Sequence, residues 1–303
     1  MMASSQFYGA GEFLGKPWGL LPNASWTHGV IFCPVSPYQI ISREDSVFDY
    51  HLVTDEIQAE IAGRVFDNVV PVGLPFAHAF ESLYRPGELR DINRLFLSSH
   101  TIGGEKGGTL FQSLIKFAKE FECDAIILPG HQFESTFGSL LNEAIYSDVR
   151  VFRGAFPKDF NSYKRIISLF ARTKTLVTDC AGSHIYYAAA CDCQIQCELK
   201  EIAESTIHEK IRAVSIGLTE PWLSSMEAHF IDYKKTESMV REFSECSPSV
   251  KHEIALEKIG LKFTPNLKNI NKRIQQTSYI RLMSKNISLL SCKMAVKLKI
   301  RLT

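Results

Sequence analysis

After Glu257 the sequence contains no acidic residue. The ten lysines and arginines from Lys262 to Arg301 therefore stand unopposed, and because the whole chain of 303 residues carries a formal net charge of only +1, its first 261 residues carry −9. No uncharged apolar run approaches the roughly 18 residues of a membrane-spanning helix. Compositional signs of disorder are missing too, since 45% hydrophobic and 22% charged residues describe an ordinary globular chain, long enough for two domains. No charged-then-apolar leader opens the sequence, and the eight cysteines fall at irregular spacings, so a reducing cytoplasm is expected and a disulfide scaffold is not. A Walker phosphate loop is lacking as well. Gly103-Gly104-Glu105-Lys106-Gly107-Gly108 has the glycines, but its lysine is followed by glycine where that loop needs Ser or Thr. A flexible loop between domains accounts for these glycines, with Lys106 reaching a ligand phosphate as a point charge.

What the sequence does have is centred on Thr175–Cys197. A β-branched run, Thr175-Leu176-Val177-Thr178, breaks at Asp179, small residues turn the chain at Cys180-Ala181-Gly182, and Ser183-His184 open a helical run. A strand, a tight turn and a helix N-terminus bring unpaired N–H groups and the positive end of a helix dipole to one spot, beside a hydroxyl, which suits a phosphate. The competing reading is an ordinary βα connection with Ser183 as N-cap.

Around this unit the alternation is regular. Tyr50–Thr54 reads as a strand, Asp55 caps a helix to about Val65, and Val69–Val72 reads as a second strand ending in Gly73-Leu74-Pro75; residues 81–93, with Pro86-Gly87, read as a linker. From Arg94 on come strands at 95–98, 125–128, 149–152, 175–178 and near 194–197, with helices after the glycine loop and over about 135–146, 161–171 and 183–190. Such alternation implies a parallel sheet covered by helices on both faces, with ligands at the carboxyl ends of the strands. The loops at 99–108, 129–134 and 179–184 all fall on that edge, which favours a functional role for Ser183. His28-Gly29 precedes an apolar Val30-Ile31-Phe32, and the glycine lets the backbone turn sharply and a substrate come close; a satisfied structural histidine is the alternative. The aromatic and glycine-rich stretch from Tyr8 to Leu21 has no period and supports no assignment.

Cys180, Cys191, Cys193 and Cys197 raise the question of zinc. Ten residues and a helix separate the first two, whereas structural zinc favours closely paired hooks, so free buried thiols are the better account and no metal is expected.

In their order, His28-Gly29, the strand-helix-strand unit closing in Gly73-Leu74-Pro75, the linker, Pro129-Gly130-His131 and Thr178-Asp179-Cys180-Ala181-Gly182-Ser183-His184 resemble bacterial glycosyltransferases of the GT-B type. More narrowly, they are similar to enzymes of capsule, lipopolysaccharide and teichoic-acid synthesis, the CDP-glycerol glycerophosphotransferases among them. The resemblance spans Trp26–Cys197 and implies an α/β, GT-B-like protein of two Rossmann-like parallel-sheet halves. It implies His28 as catalytic base and His131, Asp179, Ser183 and His184 as substrate-binding residues; Gly29 beside His28 and Lys106 of the glycine loop are the other expected substrate contacts, and no metal or other cofactor is expected. His131 follows Pro-Gly where the family's histidine precedes proline, and Gly182-Ser183-His184 replaces paired serines, which makes a nucleotide sugar a better donor than a glycerol phosphate. Only 27 residues precede His28, so the first half is expected to be incomplete, and an open sheet edge favours a homo-oligomer or a partner chain.

The expected organisation is thus a partial acceptor-side half over 1–90, a nucleotide-binding half over 91–255 and a basic helical tail over 256–303. The expected partners are a nucleotide-sugar donor, a glycan or lipid-linked acceptor and an anionic membrane surface met by the tail from the cytoplasmic side. Nucleic acid is not expected, as no aromatic-basic interleaving occurs in the tail. The rival functions are a non-catalytic nucleotide- or partner-binding module and a sugar-nucleotide epimerase.

Overall fold

The computed structural model describes residues 4–14, 23–34, 36–87, 89–97, 107–128, 130, 133, 148–156, 158–199, 224 and 233–277. Lys106, His131, the helix expected over 135–146 and the residues after 277 lie outside the described set.

The first half is built from β1 (Ala24–Trp26), α1 (Pro37–Ile40), β2 (Tyr50–Val53), α2 (Glu56–Ala62) and β3 (Val69–Pro71), with all three strands parallel in the order β1-β2-β3. Asp55 starts α2 as expected, its carboxylate accepting the Gln58 N–H at 2.8 Å. Side chains alternate across the sheet: Leu52 faces the core shared with Trp26 and Phe76, while Val53 faces Ile40, Ile41, Ile61 and Ala62. The strand of the His28 region is β1, ending two residues before His28, and Val30-Ile31-Phe32 forms no strand. Helix α3 (Pro75–Leu83) follows β3, with Pro at its first turn where a missing N–H costs nothing. Its last turn takes the first residues of the expected linker.

The second half comprises β4 (Ile92–Leu97), α4 (Gly107–Glu120), β5 (Ala125–Leu128), β6 (Arg150–Arg153), α5 (Ser162–Ala171), β7 (Thr173–Thr178), α6 (Ser183–Ala190) and β8 (Gln194–Cys197). Its five strands are all parallel, in the order β6-β5-β4-β7-β8. Successive residues point to opposite faces, so Phe96, Ile126 and Val177 pack under α4 with Leu114, Phe117 and Ala118, while Leu95, Ile127 and Leu176 pack under α5 and α6 with Ile166, Phe170 and Ile185. Both faces are buried, as parallel sheets require. The chain is therefore α/β with two parallel-sheet halves, the first smaller than the second. At the amino edge of the second sheet Asp91 takes Arg172 and Arg150, and these guanidinium groups hold its carboxyl well below the usual carboxylate range.

Helices α7 (Tyr233–Glu245) and α8 (Pro248–Lys258) lead back toward the first half, α7 against β8 and α8 against α6. Past α8 the chain crosses the end of β3 at close range. The Leu74 N–H donates to the Ile259 carbonyl at 2.9 Å, and Gly73 and Gly260 meet with φ of +78° and +73°. A Cβ on Gly260 would lie 2.4 Å from the Thr54 carbonyl oxygen, so only glycine fits. A 3₁₀ turn (Leu261–Phe263) then gives way to α9 (264–277), which buries Leu267, Ile270 and Ile274. Asn266 donates to the Pro71 carbonyl at 2.8 Å and Gln275 to the Leu14 carbonyl at 3.2 Å, so this basic helix is fastened to the first half.

Candidate functional site at the junction of the two halves

In the second sheet the strand order reverses between β4 and β7, and the helices that follow those two strands, α4 and α6, lie on opposite faces. That is where open α/β sheets leave a crevice at their carboxyl edge. The loop after β7, Asp179–Gly182, lies on this edge. Gly182 is the N-cap of α6, with φ −175°, and Ser183 is its first helical residue; the alternative reading of Ser183 as N-cap is thereby corrected. The His184 ring folds back over Gly182, where a Cβ would stand 2.8 Å from its Nδ1, and its Nε2 lies 2.8 Å from the Thr178 hydroxyl. The imidazole thus braces the strand-to-helix turn. Asp179 is half-buried in the same turn, with its Oδ1 fully enclosed.

The first half meets this turn through the segment after β1. The Val30 N–H donates to Ser183 Oγ at 2.8 Å, and the Tyr187 hydroxyl, one turn further along α6, donates to the His28 carbonyl at 3.0 Å. Gly29 sits between these two contacts, and a Cβ there would come within 3.1 Å of Ser183 Oγ, so the absence of a side chain is what lets the halves approach. His28 is half-buried, and burial lowers its pKa, opposed by the Asp45 carboxylate and a backbone bond at Trp26. Its imidazole is consequently neutral near pH 7, the form in which it accepts a proton. The Tyr8 ring packs against it, with centroids 5.6 Å apart.

Of the residues singled out in the sequence, His28, Gly29, Asp179, Ser183 and His184 converge at this junction, while Lys106 and His131 are outside the described residues. Thr178, Tyr187 and Tyr8 were missed. Tyr187 carries a signal, since it stands four residues after Ser183 and so on the same face of the helix; Tyr8 lies in the aperiodic opening segment and carries none. Among the described residues no group of three or more His, Cys, Asp or Glu could hold a metal ion. Cys180, Cys191 and Cys193 are buried, and burial pushes the Cys193 thiol up to about 12. Among the described residues no helix is long and apolar enough to cross a membrane.

No family model and no curated protein matches the chain. Among solved structures it is similar to the pneumococcal O-GlcNAc transferase GtfA in complex with UDP and GlcNAc, with 11% identity, a TM-score of 0.39, and coverage of 83% of this chain and 52% of that one. A mutant of S. aureus TarM in complex with Fondaparinux, alpha-GlcNAc-glycerol and UDP gives 11% identity and a TM-score of 0.34 over 82% and 50% of the two chains. A glycosyltransferase from Rickettsia africae gives 11% and 0.35 over 83% and 70%. The chain spans about half the length of the first two.

Proposed function

We propose that this chain is a GT-B-type glycosyltransferase that moves a sugar from a nucleotide-activated donor to a glycan or lipid-linked acceptor of surface polysaccharide synthesis. The observation that carries the reading is the meeting of the two carboxyl edges, where the segment after β1 bonds directly to the first turn of α6. A donor held at one edge and an acceptor at the other would share a single junction, with His28 between them.

In this reading the donor's phosphates lie against the Asp179–His184 turn. The α6 N-terminus and its first N–H groups face the negative charge that grows on the leaving phosphate, and Lys106 adds a cation. His131 belongs to the same donor side. Gly29 leaves room for the acceptor, and His28, neutral at the working pH, takes the proton from the acceptor hydroxyl as its oxygen attacks the anomeric carbon. The proton passes from the hydroxyl to the imidazole, the new C–O bond forms, and the sugar–phosphate bond breaks with its electrons on the phosphate oxygen. No step calls on a metal.

Isothermal titration with UDP, CDP and GDP, followed by measurement of nucleotide diphosphate release, tests this. Ser183→Ala is expected to weaken nucleotide binding by roughly 1–2 kcal/mol, the scale of one charge-assisted hydrogen bond. His28→Ala is expected to lower kcat by about 10²–10⁴-fold with nucleotide affinity unchanged. Absence of binding by every nucleotide would leave the turn as an ordinary βα connection. Among the described residues the first sheet has three strands against five in the second, which supports a second reading as a non-catalytic nucleotide-binding module; nucleotide binding without any transfer would select it.

A further inference from the structure

The transfer chemistry above gives the Tyr187 hydroxyl no task. Strand β1 makes its last sheet contact where the Thr27 N–H donates to the Leu52 carbonyl at 2.9 Å, and His28 and the residues that follow it belong to no strand. Gly29 comes next, and glycine constrains the backbone least of all residues. Two hydrogen bonds from the other half then take over. The Tyr187 hydroxyl donates to the His28 carbonyl at 3.0 Å, and Ser183 Oγ accepts the Val30 N–H at 2.8 Å. One bond falls on each side of Gly29, and both come from the first two turns of α6.

Tyr187 is built to hold a neighbour in place. Its ring is buried and stacks on Phe76, with centroids 3.9 Å apart and planes 5° from parallel, and a tyrosine has only two side-chain torsions to fix. Burial raises the phenol pKa, and the Ser183 hydroxyl beside it opposes the rise, so near pH 7 the group keeps its proton and donates. The imidazole of His28 is itself bonded to the Trp26 backbone and leans on Tyr8, which packs edge-on against Tyr163 at 5.7 Å. Fixing the His28 peptide therefore fixes how far the ring stands from α6. Phenylalanine would keep the stack on Phe76 and leave the His28 carbonyl without this bond. We infer that Tyr187 is a positioning residue for the base, acting through the His28 backbone to hold the imidazole at a set distance from the Asp179–His184 turn. The inference rests on the transferase reading for the word base; that Tyr187 places His28 stands on the bonds from α6.

The test compares full-length wild type with Tyr187→Phe and with Phe76→Leu, which keeps the hydroxyl and removes the ring it stacks on. Tyr186→Phe, whose ring packs on Phe32 and Phe243, is the control. The first readout needs no substrate. The His28 imidazole is titrated by NMR, its signals assigned by their loss in His28→Ala. In wild type it is expected to titrate below the ordinary value of about 6.5, and in Tyr187→Phe to move up toward that value as the released segment admits water. Phe76→Leu is expected to move it the same way by less. Asp45, whose carboxylate also acts on His28, is the same in all these proteins. The second readout is nucleotide diphosphate release, where Tyr187→Phe is expected to lower kcat about tenfold with UDP affinity within about twofold of wild type. A merely structural tyrosine would lower the melting temperature and leave the titration where it was. An unchanged His28 titration in Tyr187→Phe, or in Phe76→Leu if the first variant fails to fold, therefore overturns the inference. So does an equal shift in Tyr186→Phe, or a loss of UDP affinity as large as that in Ser183→Ala, which would put the tyrosine's effect on the serine. A shifted titration in a protein that transfers nothing would remove the transferase reading and leave Tyr187 as what places His28. Transfer abolished by His28→Ala but untouched by Tyr187→Phe, with equal titrations, would do the reverse.

Discussion

His28, His51 and His78 all have their pKa lowered by burial, although carboxylates stand near each. Asp45 opposes the shift at His28 and, with Asp49, at His51; the Val72 carbonyl and Glu81 oppose it at His78, where Lys268 from α9 adds to the lowering. His51 sits 2.8 Å from Ser25 Oγ and His78 Nε2 2.8 Å from the Val72 carbonyl, so both rings are part of the packing of the first half. A histidine whose folded pKa is depressed contributes stability that is complete above its unfolded value of about 6.5 and is lost as pH falls toward its folded value. Urea midpoints are therefore expected to drop between pH 7.5 and 5.5, and these three groups contribute no change between 7.5 and 8.5. A midpoint that rises on acidification would contradict the neutral state assigned to His28. At this scale the sequence showed His28, Gly29 and Ser183 because short motifs announce themselves locally. Tyr8 and Tyr163 were invisible because their meeting depends on how the opening 3₁₀ helix, Ser4–Leu14, and α5 are brought together, and no spacing in the chain encodes that.

Among the elements, the unit β7–turn–α6 was legible since a β-branched run, small residues and an alanine-rich run each specify one geometry. The three-residue β1 was not, because it is held by its partner β2 and by the Trp26 indole, which donates to the Gly73 carbonyl at 2.8 Å, more than by its own pattern. The sequence reads α9 as part of a basic, surface-lying tail, yet its Leu267, Ile270 and Ile274 recur at helical spacing and are buried. What fastens α9 in place is the crossing at Gly73 and Gly260. Gly260→Ala adds backbone strain and a clash with the Thr54 carbonyl, and is expected to cost more than the roughly 1–3 kcal/mol of strain alone. Gly87→Ala is the matched control, because Gly87 has φ +88° with nothing within 4 Å of an added Cβ. Chemical denaturation of both variants separates the terms; equal losses would mean that the crossing tolerates a side chain.

For the molecule as a whole, charge is the dominant asymmetry, and six of the ten basic residues of the tail follow Thr277. Each Lys or Arg near an anionic bilayer contributes about 1 kcal/mol, so attachment through these residues is expected to be measurable and to weaken with salt. Vesicle sedimentation of full-length protein against a chain ending at Thr277 tests this, whereas a cut at Lys262 would also strip the packed α9. Equal partitioning of the two proteins on anionic vesicles, or indifference to salt, would exclude a membrane role for the tail. The same return of α9 to the first half also sets the order of events at the ribosome. The face of the first half that α9 covers leaves the tunnel long before α9 does, and at about 5–20 residues per second that apolar face waits on the order of 10–40 s for its cover. During translation the first half thus exposes this apolar face after its own three strands are complete, and α9, made last among the described elements, is what closes it.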